Sequence, residues 1–542
     1  MDDQGFQIIA MVIYLAAMLG IGWWAYKRTT NLDDYMLAGR KLSPGVAALS
    51  AGASDMSGWL LLGLPGALYV SGLMSSWIAI GLTIGAWLNW KFVAPRLRAY
   101  TEVSKNSITV PSFFENRLRD KTHILRIAAG IVTLVFFTFY VSSGMVAGGI
   151  FFESAFGSEY LIGMLLVGGV TVIYTLFGGF IGATYTDVVQ GIMIFLALIT
   201  VPIVGIFHTG GIAATIESIR IVGAAEDVAL LNLFGGSAIA AFSAAAWGLG
   251  YFGQPHILVR FMALRSPGAA IAGRRIGMTW MIVSVLDAMA TALVGIAYFQ
   301  QNPQLTLDNP EKVFLELSQI FFHPLVAGFV LAAVLAAVMS TISSQLIVSS
   351  SALVEDLYKI VAKKEASPKA QVILGRTGVL IVSIVAIVIA LDSNSSVLNL
   401  VSYAWAGFGA AFGPIVLLSL FWRKLTSVGA IAGMITGAVT VVVWDNIAVL
   451  DAAMYEIVPG FILNVVVAVV VSLLTFKKTE GIDEEFDSAV EGVRTGTVQL
   501  PVLTTKNSIA RSRWRPTRRT HPECPPATPV ARRAFRVNSM AK

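Results

Sequence analysis

Continuous apolar segments of about 20 residues recur along most of the chain and alternate with short polar segments. Wound as an α-helix, about 20 residues cross the roughly 30 Å hydrocarbon core of a bilayer. The residue-by-residue alternation of a membrane β-barrel is not seen. The pattern predicts an all-α, polytopic membrane protein with thirteen transmembrane helices, at residues 5–26, 43–72, 76–97, 124–152, 160–178, 187–207, 232–252, 275–299, 323–353, 371–391, 396–422, 428–446 and 457–476.

Composition excludes several classes of protein. Of 542 residues, 56% are hydrophobic and 13% are charged, and the mean hydropathy is +0.75, so a soluble globular fold is excluded. Cys524 is the single cysteine and the histidines are scattered, which predicts neither a disulfide nor a metal-catalytic centre. Phosphate-loop, nucleophile-elbow and HExxH motifs are absent from the sequence. We expect no enzymatic activity and no organic cofactor, and an ion gradient rather than ATP as the energy source.

Basic residues predict how the chain is oriented. With the N-terminus outside, every Lys and Arg except Arg220 and Lys312 lies on the cytoplasmic side or in the C-terminal tail. Asp2 and Asp3 precede the first apolar segment, which is the wrong charge for a cleaved signal peptide, so this segment is read as the first span. The sequence predicts a multi-pass plasma-membrane protein with a cytoplasmic C-terminus.

The chain divides into a transmembrane domain, residues 1–476, and a tail, residues 477–542. The tail is acidic over 477–493 and rich in Arg and Pro over 507–542, and its low apolar content predicts disorder in the cytoplasm. The formal net charge of +6 comes from this tail, so it does not indicate a nucleic-acid partner. The lipid bilayer is the expected surrounding, and no obligatory protein partner is indicated.

Asp55 is the outstanding charged residue inside an apolar span. A charge at bilayer depth costs about 3 kcal/mol unless it meets a partner or a water-filled cavity. Ser, Asp and Gly around it, and Gly63–Gly66 downstream, disfavour a continuous helix. We therefore predict a broken second span whose free carbonyls and amides bind a cation and an anionic substrate group side by side. The alternative is that Asp55 or Ser57 only caps the second half-helix.

A second interrupted span lies at residues 247–255, which contain three glycines and a proline. Trp247 and Tyr251 are four residues apart and would share one face of an α-helix. Two broken helices five spans apart predict a pair of inverted five-helix repeats, at about 43–207 and 232–422, with the binding site between them. An aromatic pair that only packs in the core or at the membrane interface is the alternative.

Hydroxyl side chains cluster in the ninth span, at Ser340, Thr341, Ser343 and Ser344. Ser340 and Thr341 lie one turn beyond Ala337, so two hydroxyls and one carbonyl can converge on a hard cation such as sodium. The alternative is that the hydroxyls bond to carbonyls of their own helix or hold neighbouring helices together.

The motifs taken together resemble the sodium:solute symporter family, and within it the members that carry proline. The resemblance spans about residues 5–476. It rests on segments 50–61 (SAGASDMSGWLL), 178–179 (GG) with 186–190 (TDVVQ), 247–256 (WGLGYFGQPH), 336–341 (AAVMST) and 402–414 (SYAWAGFGAAFGP). It implies thirteen spans and the inverted-repeat core shared with neurotransmitter:sodium symporters.

The resemblance also implies roles for particular residues. Sodium would be held by carbonyls of Ala53, Met56 and Ala337 and hydroxyls of Ser340 and Thr341, with Asp55 nearby. The other implied positions are the proline site, at Ser57, Gly58, Tyr140, Trp247, Tyr251 and Pro255, and two coupling residues, Arg40 and Asp187. Asp287 occupies a position where the family suggests a small apolar residue, and no role is assigned to it.

The function expected from the sequence is sodium-coupled import of L-proline by alternating access, with sodium as the co-transported ion. Symport of another small solute, such as pantothenate, a sugar or a carboxylate, is the alternative within the class. A passive channel is a further alternative. A transporter-like sensor is disfavoured because the residues after the last span are too few and too polar for a signalling domain.

Overall fold

A computed structural model of the chain describes residues 3–27, 37–358, 368–393 and 395–498. These residues are almost entirely helical, and the only extended pairing among them is an isolated parallel bridge between Leu42 and Leu264. The α-helices are α1 Asp3–Tyr26, α2 Pro44–Asp55, α3 Leu64–Ser71, α4 Ser76–Leu88, α5 Ala94–Val103, α6 Val110–Leu118, α7 Ile124–Phe156, α8 Tyr160–His208, α9 Ile212–Glu226, α10 Ala238–Ala245, α11 Pro255–Met262, α12 Ala269–Gln301, α13 Val313–Phe321, α14 Pro324–Ser351, α15 Pro368–Ile389, α16 Val397–Phe421, α17 Ser427–Asp445, α18 Ala448–Asp451, α19 Ile457–Thr475 and α20 Ile482–Thr495.

The all-helical membrane fold predicted from the sequence is confirmed. Within the described ranges, nine helical segments are long and apolar enough to cross a bilayer. Two of them have about twice the length of one span, Trp59–Val103 and Tyr160–His208, and the second contains a kink at Gly179, whose φ is 56°. The count of thirteen therefore remains a prediction.

The second predicted span is discontinuous, as expected. Helix α2 ends at Asp55, and Met56 leaves the helical region with φ −80° and ψ 74°. A π-helical turn, Trp59–Gly63, then leads into α3. The break exposes backbone groups that a continuous helix would pair internally, and it lies in the protein interior, where such backbone is tolerated within a membrane.

The second break is also present, but its local geometry differs from the prediction. After α10 the backbone tightens into a 3-10 helix, Ala246–Phe252, and α11 begins at Pro255. Residues four apart in a 3-10 helix are about 120° apart around the axis. The prediction that Trp247 and Tyr251 share one helical face is therefore wrong. The tighter helix runs against α4 so closely that a Cβ on Gly85 would lie 2.2 Å from the Gly248 carbonyl oxygen.

A helix, α20, lies within the segment expected to be disordered. Its residues Ile482, Phe486, Ala489 and Val493 recur at helical spacing, and Phe486 is buried with its ring centroid 6.0 Å from that of Tyr100. Low overall hydrophobicity concealed this amphipathic period. The expectation of disorder at 477–493 is corrected there, whereas the basic stretch 507–542 lies outside the described residues. The division into a transmembrane domain and a tail otherwise remains a prediction.

Candidate functional site

Asp55 lies at the end of α2 and is almost completely buried. One carboxylate oxygen accepts a hydrogen bond from the Tyr251 hydroxyl, and the other, Oδ1, has no hydrogen-bond partner among the described residues. Burial of an acceptor without a donor is costly, so a ligand that supplies a positive group here would stabilise the arrangement. The two broken helices thus meet at Asp55 and Tyr251, and Asp55 does not cap α3.

The hydroxyl cluster of the ninth predicted span faces the first break. The Ser340 hydroxyl lies 2.7 Å from the Ala53 carbonyl oxygen, across the interface of α14 with α2, and 3.0 Å from the Ala337 carbonyl. The Thr341 hydroxyl donates to the Ala337 carbonyl at 3.2 Å, the bond within its own helix that the alternative interpretation expects. Four of the five groups assigned to sodium therefore lie around one point.

Met56 completes the predicted sodium set at the first residue of the break, and its side chain is buried. Oxygens of backbone carbonyls and neutral hydroxyls match the preference of a hard monovalent cation. The carboxylate of the preceding residue, Asp55, lies next to this set of oxygens in the sequence. The assignment of these residues to sodium remains a prediction.

Aromatic rings surround the Asp55–Tyr251 pair. The ring centroids of Trp247 and Trp59 are 6.2 Å apart, and Tyr251 meets Trp405 edge to face at 5.1 Å. The Trp405 indole also donates a hydrogen bond of 2.7 Å to the Trp247 carbonyl. Flat apolar walls next to a carboxylate suit a small ligand that combines an apolar ring with a positive nitrogen.

The remaining predicted substrate residues lie around this region. Ser57 and Gly58 form the break itself, and a Cβ on Gly58 would lie 2.9 Å from the Cβ of Ala147, so α7 packs closely against it. The hydroxyl of Tyr140, on α7, is buried without a hydrogen-bond partner in the described part of the chain. Pro255 begins α11, where a missing backbone N–H costs nothing.

His256 is a buried residue beside this site that the sequence analysis did not single out. Neither ring nitrogen has a hydrogen-bond partner among the described residues, and its ring lies edge to face with Tyr140 at 5.7 Å. A lone histidine in an apolar run more often packs than binds, so its sequence position alone carried no signal.

Asp187 belongs to a buried ion pair that the sequence did not predict. Its Oδ2 lies 2.9 Å from the Arg260 guanidinium and accepts a hydrogen bond of 2.6 Å from Ser50. Arg260 also donates to the Ser344 hydroxyl, so the pair links α2, α8, α11 and α14. Residue 187 was predicted to begin the sixth span, but Asp187 lies inside α8. An arginine in the apolar segment 255–264 was the available signal.

Arg40, the second predicted coupling residue, lies in a 3-10 turn before α2. Its guanidinium donates to the Thr101 hydroxyl at 3.1 Å, the Met262 carbonyl at 2.8 Å and the Ser107 carbonyl at 2.6 Å. It therefore ties the start of the broken helix to α5 and α11. Asp287 lies apart from the site on α12, half-buried, with Oδ2 unpaired among the described residues.

A cavity of about 420 Å³ lies next to Trp247 at the end of the bundle predicted to face outward. Asp445, Asp451 and Glu456 line it, and the Tyr455 ring between them and the site stacks on Trp247 at 5.5 Å. Glu456 precedes α19 and is 4% exposed; burial raises its pKa to about 8, and the neighbouring Asp445 and Asp451 add to this. The cavity is therefore an acidic antechamber above the aromatic wall.

Comparison with solved structures identifies a protein with the same fold. The fold matches a Na⁺-coupled sialic acid symporter, solved in a substrate-bound outward-open state, with a TM-score of 0.75 and 20% identity over 88% of this chain and all of that one. The two proteins therefore share a fold.

Sequence comparison is more specific. The sodium:solute symporter family model matches residues 35–437. The chain is 57% identical to the high-affinity proline transporter PutP of Bacillus subtilis, over 87% of this chain and 98% of that protein. It is 50% identical to the sodium/proline symporter of Escherichia coli, over 89% and 96% of the two chains. The chain belongs to the sodium:solute symporter family.

Proposed function

We propose that the protein imports L-proline together with sodium across the plasma membrane by alternating access. Relatives at 50–57% identity over nearly their whole length are proline transporters by name. The proposal includes the predicted orientation, with the N-terminus outside and the C-terminus in the cytoplasm. Sodium is the co-transported ion, and neither an organic cofactor nor catalysis is required.

One observation carries the proposal. The Ser340 hydroxyl is 2.7 Å from the Ala53 carbonyl at the end of α2. Two residues later in the same segment, Asp55 accepts a hydrogen bond from Tyr251. The predicted cation groups and the predicted substrate groups therefore share one short broken segment. A ligand at either place restrains the other, which is the physical basis of coupling.

Proline fits the chemistry of the walls. It has a small apolar ring, a secondary ammonium group and a carboxylate. The aromatic rings of Trp59, Trp247 and Trp405 suit the ring, and the unpaired Asp55 oxygen suits a positive charge. Sodium that binds the carbonyls of the break would hold its conformation and tighten proline binding, and proline would then favour closure.

The driving force is sufficient for uphill transport. One positive charge entering across about 100 mV releases about 2.3 kcal/mol. A tenfold sodium gradient adds about 1.4 kcal/mol, and the sum supports accumulation of a few hundred-fold per ion.

Uptake of radiolabelled proline into right-side-out membrane vesicles tests the function. We expect accumulation above the external concentration under an inward sodium gradient, and its loss when the gradient is collapsed or sodium is replaced by potassium. Competition with unlabelled pantothenate, sugars and carboxylates separates proline from other solutes. Equilibration without accumulation would indicate a channel, and strong competition by another solute with none by proline would overturn the substrate assignment.

A further inference from the structure

The opposite end of the site from the acidic antechamber contains a narrow cavity. Its lining includes Pro255 and Phe180 on the side of the binding site, Thr133 and Ser351 along its walls, and Thr109 and Asp356 at the far end. The cavity measures about 20 Å³, which is room for roughly one water molecule. A route from Pro255 to the end of the bundle predicted to face the cytoplasm is thus closed in this conformation.

The far end of this cavity is closed by a polar cluster. The carboxylate of Asp356 is fully buried in the turn that continues α14, Ala352–Tyr358. It accepts a hydrogen bond of 3.0 Å from the Thr109 hydroxyl and lies 2.7 Å from Nε of Arg126, near the start of α7. Glu115 holds the other side of Arg126 at 3.6 Å.

The two helices joined by this cluster also carry the two predicted binding sites. Helix α14 carries Thr341, 15 residues before Asp356, and α7 carries Tyr140, 14 residues after Arg126. At about 1.5 Å per residue, each site lies about 21–23 Å from the cluster along its own helix. If ligand binding or release at the sites tilts α14 relative to α7, the distance between Asp356 and Arg126 therefore changes.

We propose that Asp356, Thr109 and Arg126 form a latch that closes the cytoplasmic exit route, and that release of proline and sodium to the inside requires this latch to open. The inference rests on the proposed function. A buried ion pair suits a two-state latch, because breaking it requires both charges to find water at once. Opening the route toward the cytoplasm supplies that water.

Accessibility of a cysteine in the route tests the latch. Ser351 lines the cavity, and Cys524 is the only native cysteine, so Ser351→Cys in a Cys524→Ser chain gives one reporter thiol. A membrane-impermeant maleimide is applied to inside-out vesicles. We expect slow labelling in this background and labelling at least tenfold faster when Asp356→Asn is added. Right-side-out vesicles should show no increase.

Two further variants keep the result interpretable. Arg126→Gln removes the same ion pair from the other partner, and it should also accelerate labelling. Glu153→Gln breaks the Lys312–Glu153 pair of 3.4 Å at the opposite end of the bundle and should leave the labelling rate unchanged. Sodium-dependent proline binding in detergent shows that each variant is folded, and a latch variant should keep this binding while its accumulation in vesicles falls.

Rapid labelling already in the background chain would overturn the proposal, as would an unchanged rate in Asp356→Asn and Arg126→Gln chains that still bind proline. The labelling measurement does not depend on transport. Failure of the wild-type chain to accumulate proline would therefore refute the proposed function while the accessibility result could still be read.

Discussion

Asp187 and Arg260 form a fully buried ion pair, with 2.9 Å between Oδ2 and the guanidinium nitrogen, and Ser50 bonds to both. Ser50 lies one turn of α2 before Ala53, whose carbonyl accepts the hydrogen bond from Ser340. It therefore anchors the half of the broken helix that carries the predicted sodium carbonyls to α8 and α11. A buried pair of this kind contributes fixed geometry more reliably than it contributes stability.

Removal of one member of this pair should destabilise the protein. Asp187→Asn leaves the Arg260 charge buried without its counter-ion, so we expect a loss of about 3–5 kcal/mol in the free energy of unfolding. Thermal unfolding in detergent measures it. Arg220→Gln breaks an exposed pair with Glu217 and should have no measurable effect. The double variant Asp187→Asn, Arg260→Gln should lose less than the sum of the two single losses; strict additivity would contradict coupling between the residues.

Substitution of Ser340 by Ala should weaken sodium binding. It removes a predicted ligand and the bond between α14 and the broken helix, and a net loss of about 1 kcal/mol corresponds to roughly a fivefold higher half-saturating sodium concentration. Sodium titration of proline uptake gives this value. Ser343→Ala is the matched control, since that hydroxyl donates to the Ser340 carbonyl in its own helix at 3.0 Å and is not among the predicted sodium ligands. Equal sodium dependence in both variants would remove Ser340 from the site.

Neutralisation of Asp55 should impair uptake far more than neutralisation of Asp287. Asp55→Asn keeps the size of the side chain but removes the charge between the broken helices, and interactions with charged groups of about 1.5–3 kcal/mol predict a loss of roughly 10- to 150-fold. The initial rate of proline uptake at saturating sodium is the measurement. Asp287→Asn alters a carboxylate half-buried on α12 away from the site and should keep near wild-type uptake. Comparable losses in the two variants would mean that uptake depends on any carboxylate within the membrane and not on the particular position of Asp55.

External pH should act through Glu456. Because burial raises its pKa to about 8, this carboxyl is mostly protonated at pH 7 and becomes charged as the pH rises through 8. The added negative charge joins Asp445 and Asp451 in the antechamber and attracts cations. We expect the half-saturating sodium concentration to fall by about two- to threefold between external pH 7 and 9, because one more negative charge in the cavity raises the local concentration of sodium.

Glu456→Gln should abolish this pH effect and keep the sodium dependence found at pH 7. Besides Asp445 and Asp451, the titratable groups facing the cavity are Tyr403 and Tyr455, and the same experiment on Tyr403→Phe is the control. A pH effect that persists in the Glu456→Gln variant would assign it to another group.

Much of the architecture was predictable because a bilayer constrains the chain so strongly. Lipid cannot satisfy backbone polar groups, so apolar segments of sufficient length must be helices, and a carboxylate within such a segment must face the interior. The break after Asp55 followed from local chemistry, since Ser, Asp and Gly do not sustain a helix there. The hydroxyls at Ser340 and Thr341 were recognisable for the same local reason.

The sequence by itself therefore determined the helical membrane class and the two interrupted segments, and it predicted the residues that carry their chemistry. Tertiary structure alone decided which distant groups meet: Arg260 with Asp187, Tyr251 with Asp55, and Arg126 with Asp356. It also decided that Trp247 and Tyr251 lie on a 3-10 turn and that α20 is ordered, because Phe486 finds Tyr100 and Arg423 to pack against. The physical reason is that the local sequence pattern decides whether a segment is helical and whether it can lie in lipid. Which distant side chains meet depends instead on which helices pack side by side.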